Sequence, residues 1–187
     1  SRDEARRLLD LPGDAFVYVC LGLLRPYKGL EELLPAFREL DGGQLRLVVA
    51  GRPKSTSYTA RLASLADGDA RIRLEPRFIP VEEVQRYLNA ADIAVLPYRQ
   101  ITTSGAALLA FSFGLPVIAP ALGAFPNLVS PERGVLYEGG RLVQAMTAAQ
   151  ARPWAAARAS ILDWVRQFDW EEIGRRLVAA YRHEPGA

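Results

Sequence analysis

Residues 15–51 read AFVYVCLGLLRPYKGLEELLPAFRELDGGQLRLVVAG, two apolar runs separated by a stretch of a different period. The runs AFVYVCLG (15–22) and QLRLVVAG (44–51) are short, rich in β-branched residues and closed by glycine, which predicts two strands. Between them Leu30, Leu33, Leu34 and Phe37 recur at helical spacing, predicting a helix over 29–40. Strand, helix and strand in that order supply the crossover that parallel neighbours need.

The alternation continues along the chain. Strand-like runs follow at 71–76, 92–97, 115–120 and 133–138, with helical patterns at 57–66, 81–91 and 104–113 and a shorter turn at 125–129. Pro80 heads the 81–91 segment, whose first turn carries Glu82 and Glu83, an arrangement suited to a helix N-terminus. The reading is an α/β fold: a doubly wound, mostly parallel, Rossmann-like sheet with helices on both faces. After Gly139-Gly140 the strands stop, and 141–150, 153–168 and 170–183 all read as helices. These extra C-terminal helices either wrap the sheet edge or reach towards another domain. Their tryptophans, Trp154, Trp164 and Trp170, are expected to pack into the core, the alternative being exposure where a natural cover is missing.

The chain of 187 residues is long enough for one domain with a real core, and half of its residues are hydrophobic. Twenty-three basic and 21 acidic residues leave a net charge of +2, too balanced for the broad basic face that nucleic acid demands. Cys20, the one cysteine, lies in an apolar run and reads as a buried structural thiol; the one histidine, His183, is far from it in sequence. A lone cysteine points to a cytosolic compartment. No apolar run approaches the ~20 residues of a membrane span, and the charged start SRDEARRLLD is unlike a signal peptide.

In an open parallel sheet, ligands bind in the crevice at the carboxyl ends of the strands. Three loops there carry polar groups. In GLLRPYKG, Gly22 ends the first strand and Lys28-Gly29 opens the next helix, so Arg25 and Lys28 lie beside a helix N-terminus. Two cations at that place suggest a phosphate or diphosphate, each charge-assisted contact contributing about 1.5–3 kcal/mol; a solvated loop is the alternative. In GRPKSTSYT (51–59) a surface loop leading to a helix capped near Ser57 is favoured, with Arg52 and Lys54 adding positive potential. In YRQITTSG, Thr102, Thr103, Ser104 and Gly105 head an apolar helix, and the hydroxyls serve either capping alone or anion recognition. Two weaker signals are Gly123-Ala124, where backbone amides could approach a ligand, and Phe78, which lines a base pocket or belongs to the core.

Taken together, GLLRPYKG, VVAG, FIPVEEVQRYLNAADIAVLPY, GLPVIA and the final WEEIGRRLVAAYR resemble the glycosyltransferase group 1 (family 4) proteins over about residues 14–182. The resemblance implies half of a GT-B architecture: the single domain 1–187 is the C-terminal, donor-binding half, and the N-terminal acceptor domain with its catalytic-cleft residues is absent. It further implies retaining transfer of a hexose from a nucleotide diphosphate sugar to a saccharide or glycolipid acceptor, without metal or any cofactor beyond the donor. An isolated fragment would then be inactive. The compartment is cytoplasmic, with room for peripheral association of the full-length protein at the inner face of the membrane. Arg25 and Lys28 correspond to the pair that meets the leaving diphosphate, although Leu23 stands where the commoner pattern has arginine. The implied donor-binding set is Gly22, Arg25, Lys28, Arg52, Phe78, Thr102, Thr103, Ser104 and Gly105.

One departure is sharper. Many relatives carry two glutamates eight residues apart, and counting back from Gly114-Leu115-Pro116-Val117 puts Leu109 and Ile101 in their places. Both residues fit burial. The alternative function is therefore a catalytically inactive GT-B-like binding or scaffolding module. Another dinucleotide-binding fold is disfavoured, because the first strand leads into LLRPYKG rather than a G-x-G-x-x-G turn.

Overall fold

The computed structural model describes residues 1–182. Six strands, β1 (Phe16–Leu21), β2 (Leu45–Ala50), β3 (Ile72–Glu75), β4 (Ile93–Val95), β5 (Val117–Pro120) and β6 (Gly134–Tyr137), form one sheet in the order β3-β2-β1-β4-β5-β6. Every neighbouring pair is parallel. The chain builds outwards from β1 to β3, then returns to lay β4 on the free side of β1. The order therefore reverses between β1 and β4, and the loops leaving those strands diverge to form a crevice.

Nine helices surround the sheet among the described residues: α1 (Arg2–Leu8), α2 (Leu30–Arg38), α3 (Thr56–Ala66), α4 (Val81–Ala90), α5 (Gly105–Ser112), α6 (Phe125–Leu128), α7 (Leu142–Gln150), α8 (Trp154–Val165) and α9 (Trp170–Arg182). Alternation along β1 sends Val17 and Val19 to one face and Tyr18 and Cys20 to the other. The first face packs against α1, α4, α5, α6 and α8; the second packs against α2, α3 and α7. This is the expected doubly wound, Rossmann-like layout, and its sheet is parallel throughout.

Several local details differ from the sequence reading. Helix α1 is additional: Ser1 caps it, and Arg6, only 1% exposed, ties it to the amino edge of the sheet. The Arg6 guanidinium donates to the Gly13 carbonyl at 2.6 Å and to Asp92 Oδ2 at 2.7 Å, and Asp92 Oδ2 also accepts from the Val17 amide at 2.7 Å. The cap of α3 is Ser55, whose Oγ accepts from the Tyr58 amide at 3.2 Å. The 153–168 helix breaks after Val165 into a 3-10 turn, and His183, the last residue of the expected 170–183 helix, lies outside the described residues.

Of the three tryptophans, Trp154 is buried and donates Nε1 to the Ala149 carbonyl at 2.7 Å, while Trp164 packs edge-on against Phe111. Trp170 is 86% exposed, so the favoured core packing fails for it and the exposed alternative holds; the neighbouring 3-10 turn is what α9 chiefly meets among the described residues. Leu109 also departs from expectation. Ala107, Ala110 and Phe111 form the inward stripe of α5, and Leu109 lies about a quarter turn outside it, 41% exposed. Among the described residues no helix is long and apolar enough to cross a membrane.

Candidate functional site

The β1 loop enters the crevice through a tight turn. Pro26 starts a 3-10 turn at Pro26–Lys28, and Gly29 closes it with a φ of 72°, a conformation that glycine adopts at no steric cost. A Cβ on Gly29 would overlap the carbonyl oxygen of Pro97, so the β1 and β4 loops meet backbone to backbone. The Arg99 amide adds a hydrogen bond to the Tyr27 carbonyl at 2.8 Å. This packing fixes the base from which Lys28 projects.

Lys28 is half-buried, and its Nζ donates to the Tyr98 hydroxyl while lying 3.7 Å from the centre of the Tyr98 ring. Tyr98 is 5% exposed, held by Phe125 at 5.7 Å between ring centres. Among the described residues no carboxylate forms an ion pair with Lys28. Burial pulls its pKa below the ordinary lysine value. The Cys20 thiol is itself pushed up to about 12 by burial, so it is neutral and supplies no counter-charge, in keeping with the structural role expected of it.

Arg25 stands at the other end of the same loop. Its Nη1 donates to the carbonyls of Leu24 at 3.1 Å and Arg52 at 3.2 Å, neutral acceptors that leave its charge uncompensated. The Leu24 amide also donates to the Arg52 carbonyl at 3.0 Å, and a Cβ on Gly51 would overlap the Gly22 carbonyl oxygen. Arg52 thus serves here through its backbone, while its side chain and that of Lys54 are exposed. Gly22 is exposed and joins the strand to the loop.

The polar run at the head of α5 divides. Ser104 is 5% exposed and its Oγ accepts from the Ala107 amide at 3.1 Å, so it is the cap; Thr102, Thr103 and Gly105 are exposed. Thr102 lines a cavity of about 500 Å³ with Tyr27, Arg99, Gln100, Ile101 and Leu122, and a second of about 390 Å³ beside it shares Arg99 and Leu122. Ile101 is half-buried against the core, and a Cβ on Gly123 would overlap its carbonyl. That close approach accounts for Gly123 without a ligand.

Phe78 does not join this group. It follows β3, two strands from β1, is 66% exposed and lines neither cavity, so its core reading is overturned. A larger hollow of about 580 Å³ lies between α3 and β3, where Asp67 and Asp69 are its charged lining residues, the wrong sign for an anion.

Two partners escaped the sequence reading. Tyr98 is one. Arg99 is the other: its Nη1 stands 3.8 Å from Glu31, which already meets Arg61 at 3.1 Å, so Arg99 is a loosely held third cation on the crevice. Their signal was position alone, directly after the end of a strand.

Residues 15–154 match the family described as glycosyl transferases group 1. A GDP-mannose:glycolipid 4-beta-D-mannosyltransferase of Xanthomonas campestris is 33% identical over 163 residues, covering 86% of this chain and 46% of that protein. A D-inositol 3-phosphate glycosyltransferase of Catenulispora acidiphila is 34% identical over 200 aligned residues, covering 97% and 47%. Among solved structures, sucrose-phosphate synthase from Thermosynechococcus elongatus superposes with a TM-score of 0.78 at 28% identity, over 96% of this chain and 48% of that one. Anabaena HepE in complex with UDP and glucose shares the fold at a TM-score of 0.82 and 18% identity, over 97% and 52%. The chain spans about half the length of the curated relatives it matches.

Proposed function

This chain belongs to the group 1 glycosyltransferases, and from that premise we propose that it is the donor half of a retaining, metal-independent hexosyltransferase of family 4. It binds a nucleotide diphosphate sugar, and the N-terminal half of the full-length protein brings a saccharide or glycolipid acceptor at the cytoplasmic face of the membrane. The observation that carries this reading is the ammonium of Lys28, half-buried at the β1–β4 reversal with no carboxylate partner among the described residues. A cation removed from water without a counter-ion is costly, and an anionic ligand offsets that cost.

The chemistry follows from charge. When the bond between the anomeric carbon and the diphosphate oxygen breaks, that oxygen keeps the electron pair and the leaving group gains negative charge. Lys28 supplies a point charge and Arg25 a planar fork, both already fixed by the loop before the reaction. The exposed hydroxyls of Thr102 and Thr103 and the first amides of α5 are further donors for the same ligand. The glycolipid and nucleotide named for the Xanthomonas mannosyltransferase, and the UDP crystallised with HepE, support this substrate class.

The test is ligand-dependent melting. UDP, GDP or ADP is expected to raise the melting temperature, and Arg25→Ala with Lys28→Ala to remove most of the rise; no shift with any of the three at saturation overturns the reading.

A second reading, binding without transfer, rests on Ile101 and Leu109. No carboxylate lines the cavity that Ile101 shares with Tyr27 and Thr102. A donor panel run on the full-length protein separates the two: transferred sugar supports the enzyme, and nucleotide binding without transfer supports the inactive module.

A further inference from the structure

We propose that Tyr98 is the positioning residue for Lys28: its hydroxyl holds the ammonium across the β1–β4 junction and keeps it charged and aimed at the diphosphate. The assignment of the diphosphate rests on the function proposed above; the assignment of Tyr98 rests on geometry.

Lysine is a flexible side chain with a compact, strongly hydrated charge, and half-burial favours its neutral form. The chain uses lysine only at positions 28 and 54 among its 23 basic residues, so this site has the more mobile cation and needs something to hold it. Tyr98 supplies two contacts: the hydroxyl accepts from Nζ, and the ring centre lies 3.7 Å from Nζ. Both favour the ammonium over the amine.

Tyr98 can do this because it is itself rigid. It is 5% exposed, it lies just beyond β4, and Phe125 backs its ring. Burial also raises its own pKa, so the phenol keeps its proton while lysine titrates. The other titratable groups facing Nζ are Cys20 from β1, a neutral thiol, and Tyr27 of the same turn, whose ring centre is 5.4 Å away. From α2, Glu31 is engaged by Arg61 and Arg99 instead. Tyr98 is thus the group that stabilises the charge in the absence of ligand.

With two lysines in the chain, carbon-13 labelling of the lysine ε-methylenes gives two assignable signals, and Lys28→Met identifies each. Lys28 is expected to titrate below the ordinary lysine value, and Tyr98→Phe, which keeps the ring, to lower that midpoint further. The same variant is expected to weaken UDP binding about tenfold at neutral pH, the loss of one charge-assisted hydrogen bond, and to lower the melting temperature of the free protein slightly, since a midpoint that falls only in the folded state is stability lost where the lysine is charged. In the Lys28→Met background, Tyr98→Phe should have no further effect on UDP affinity. An unmoved Lys28 midpoint, or an equal affinity loss without Lys28, overturns the positioning role. Absence of UDP, GDP and ADP binding in the parent protein overturns the donor reading instead, and the Lys28 titration still decides whether Tyr98 holds the lysine.

Discussion

Gly29 and Pro97 meet without a side chain between them, the Cα of one against the carbonyl oxygen of the other. The contact sets how far apart the β1 and β4 loops stand, and so sets the crevice.

Gly29→Ala is therefore expected to cost about 3 kcal/mol or more, combining a left-handed backbone with a steric overlap that only loop displacement relieves. Urea unfolding measures the loss, and nucleotide affinity should fall with it because Lys28 is the next residue.

Binding should also depend on pH through Lys28. The ammonium is present below its pKa and absent above it, and burial places that pKa beneath the ordinary lysine value. UDP affinity measured by calorimetry from about pH 7 to about pH 10 should hold at the lower end and fall at the upper. Lys28→Arg should remove the fall, since guanidinium stays charged throughout.

Asp92 anchors the opposite edge of the sheet. Asp92→Ala leaves Arg6, 1% exposed, without its counter-ion and the Val17 amide without its acceptor, and should destabilise by about 3–5 kcal/mol. Thermal unfolding checks this, and nucleotide affinity at a temperature where the variant is folded should be unchanged.

Leu109→Glu should be tolerated to within about 0.5 kcal/mol, because the side chain is 41% exposed. Ala107→Glu, two residues away but fully buried, should prevent folding. Circular dichroism of the pair distinguishes an outward Leu109 from the buried residue that its apolar character suggests, and the first variant restores a carboxylate where the family resemblance places one.

The sheet was legible because its strands are short apolar runs at regular intervals, a pattern that depends only on neighbours in sequence. Helix α1 was not: only Ala5 and Arg6 of its seven residues are buried, and its anchor is an arginine, which any hydropathy pattern assigns to solvent. Arg25 and Lys28 were legible from their place after a strand. The partner of Lys28 was not, since Tyr98 lies 70 residues away and only the return of the chain from β3 to β4 brings them together. Within TTSG the sequence could not apportion capping and recognition, because the choice depends on which hydroxyl the helix axis puts in line with the Ala107 amide. Ser104 alone meets that condition.

The two edges of the sheet handle buried charge in opposite ways. At the amino edge, Arg6 finds Asp92 within the chain and its electrostatics close on themselves. At the carboxyl edge, Arg25 and Lys28 look outward for their complement. Cohesion and appetite are thereby housed some six strand-residues apart, along β1 from Phe16 to Leu21. Exchanges among the exposed side chains of Arg52, Thr102 and Thr103 can therefore change the character of the crevice while the fold keeps its melting point.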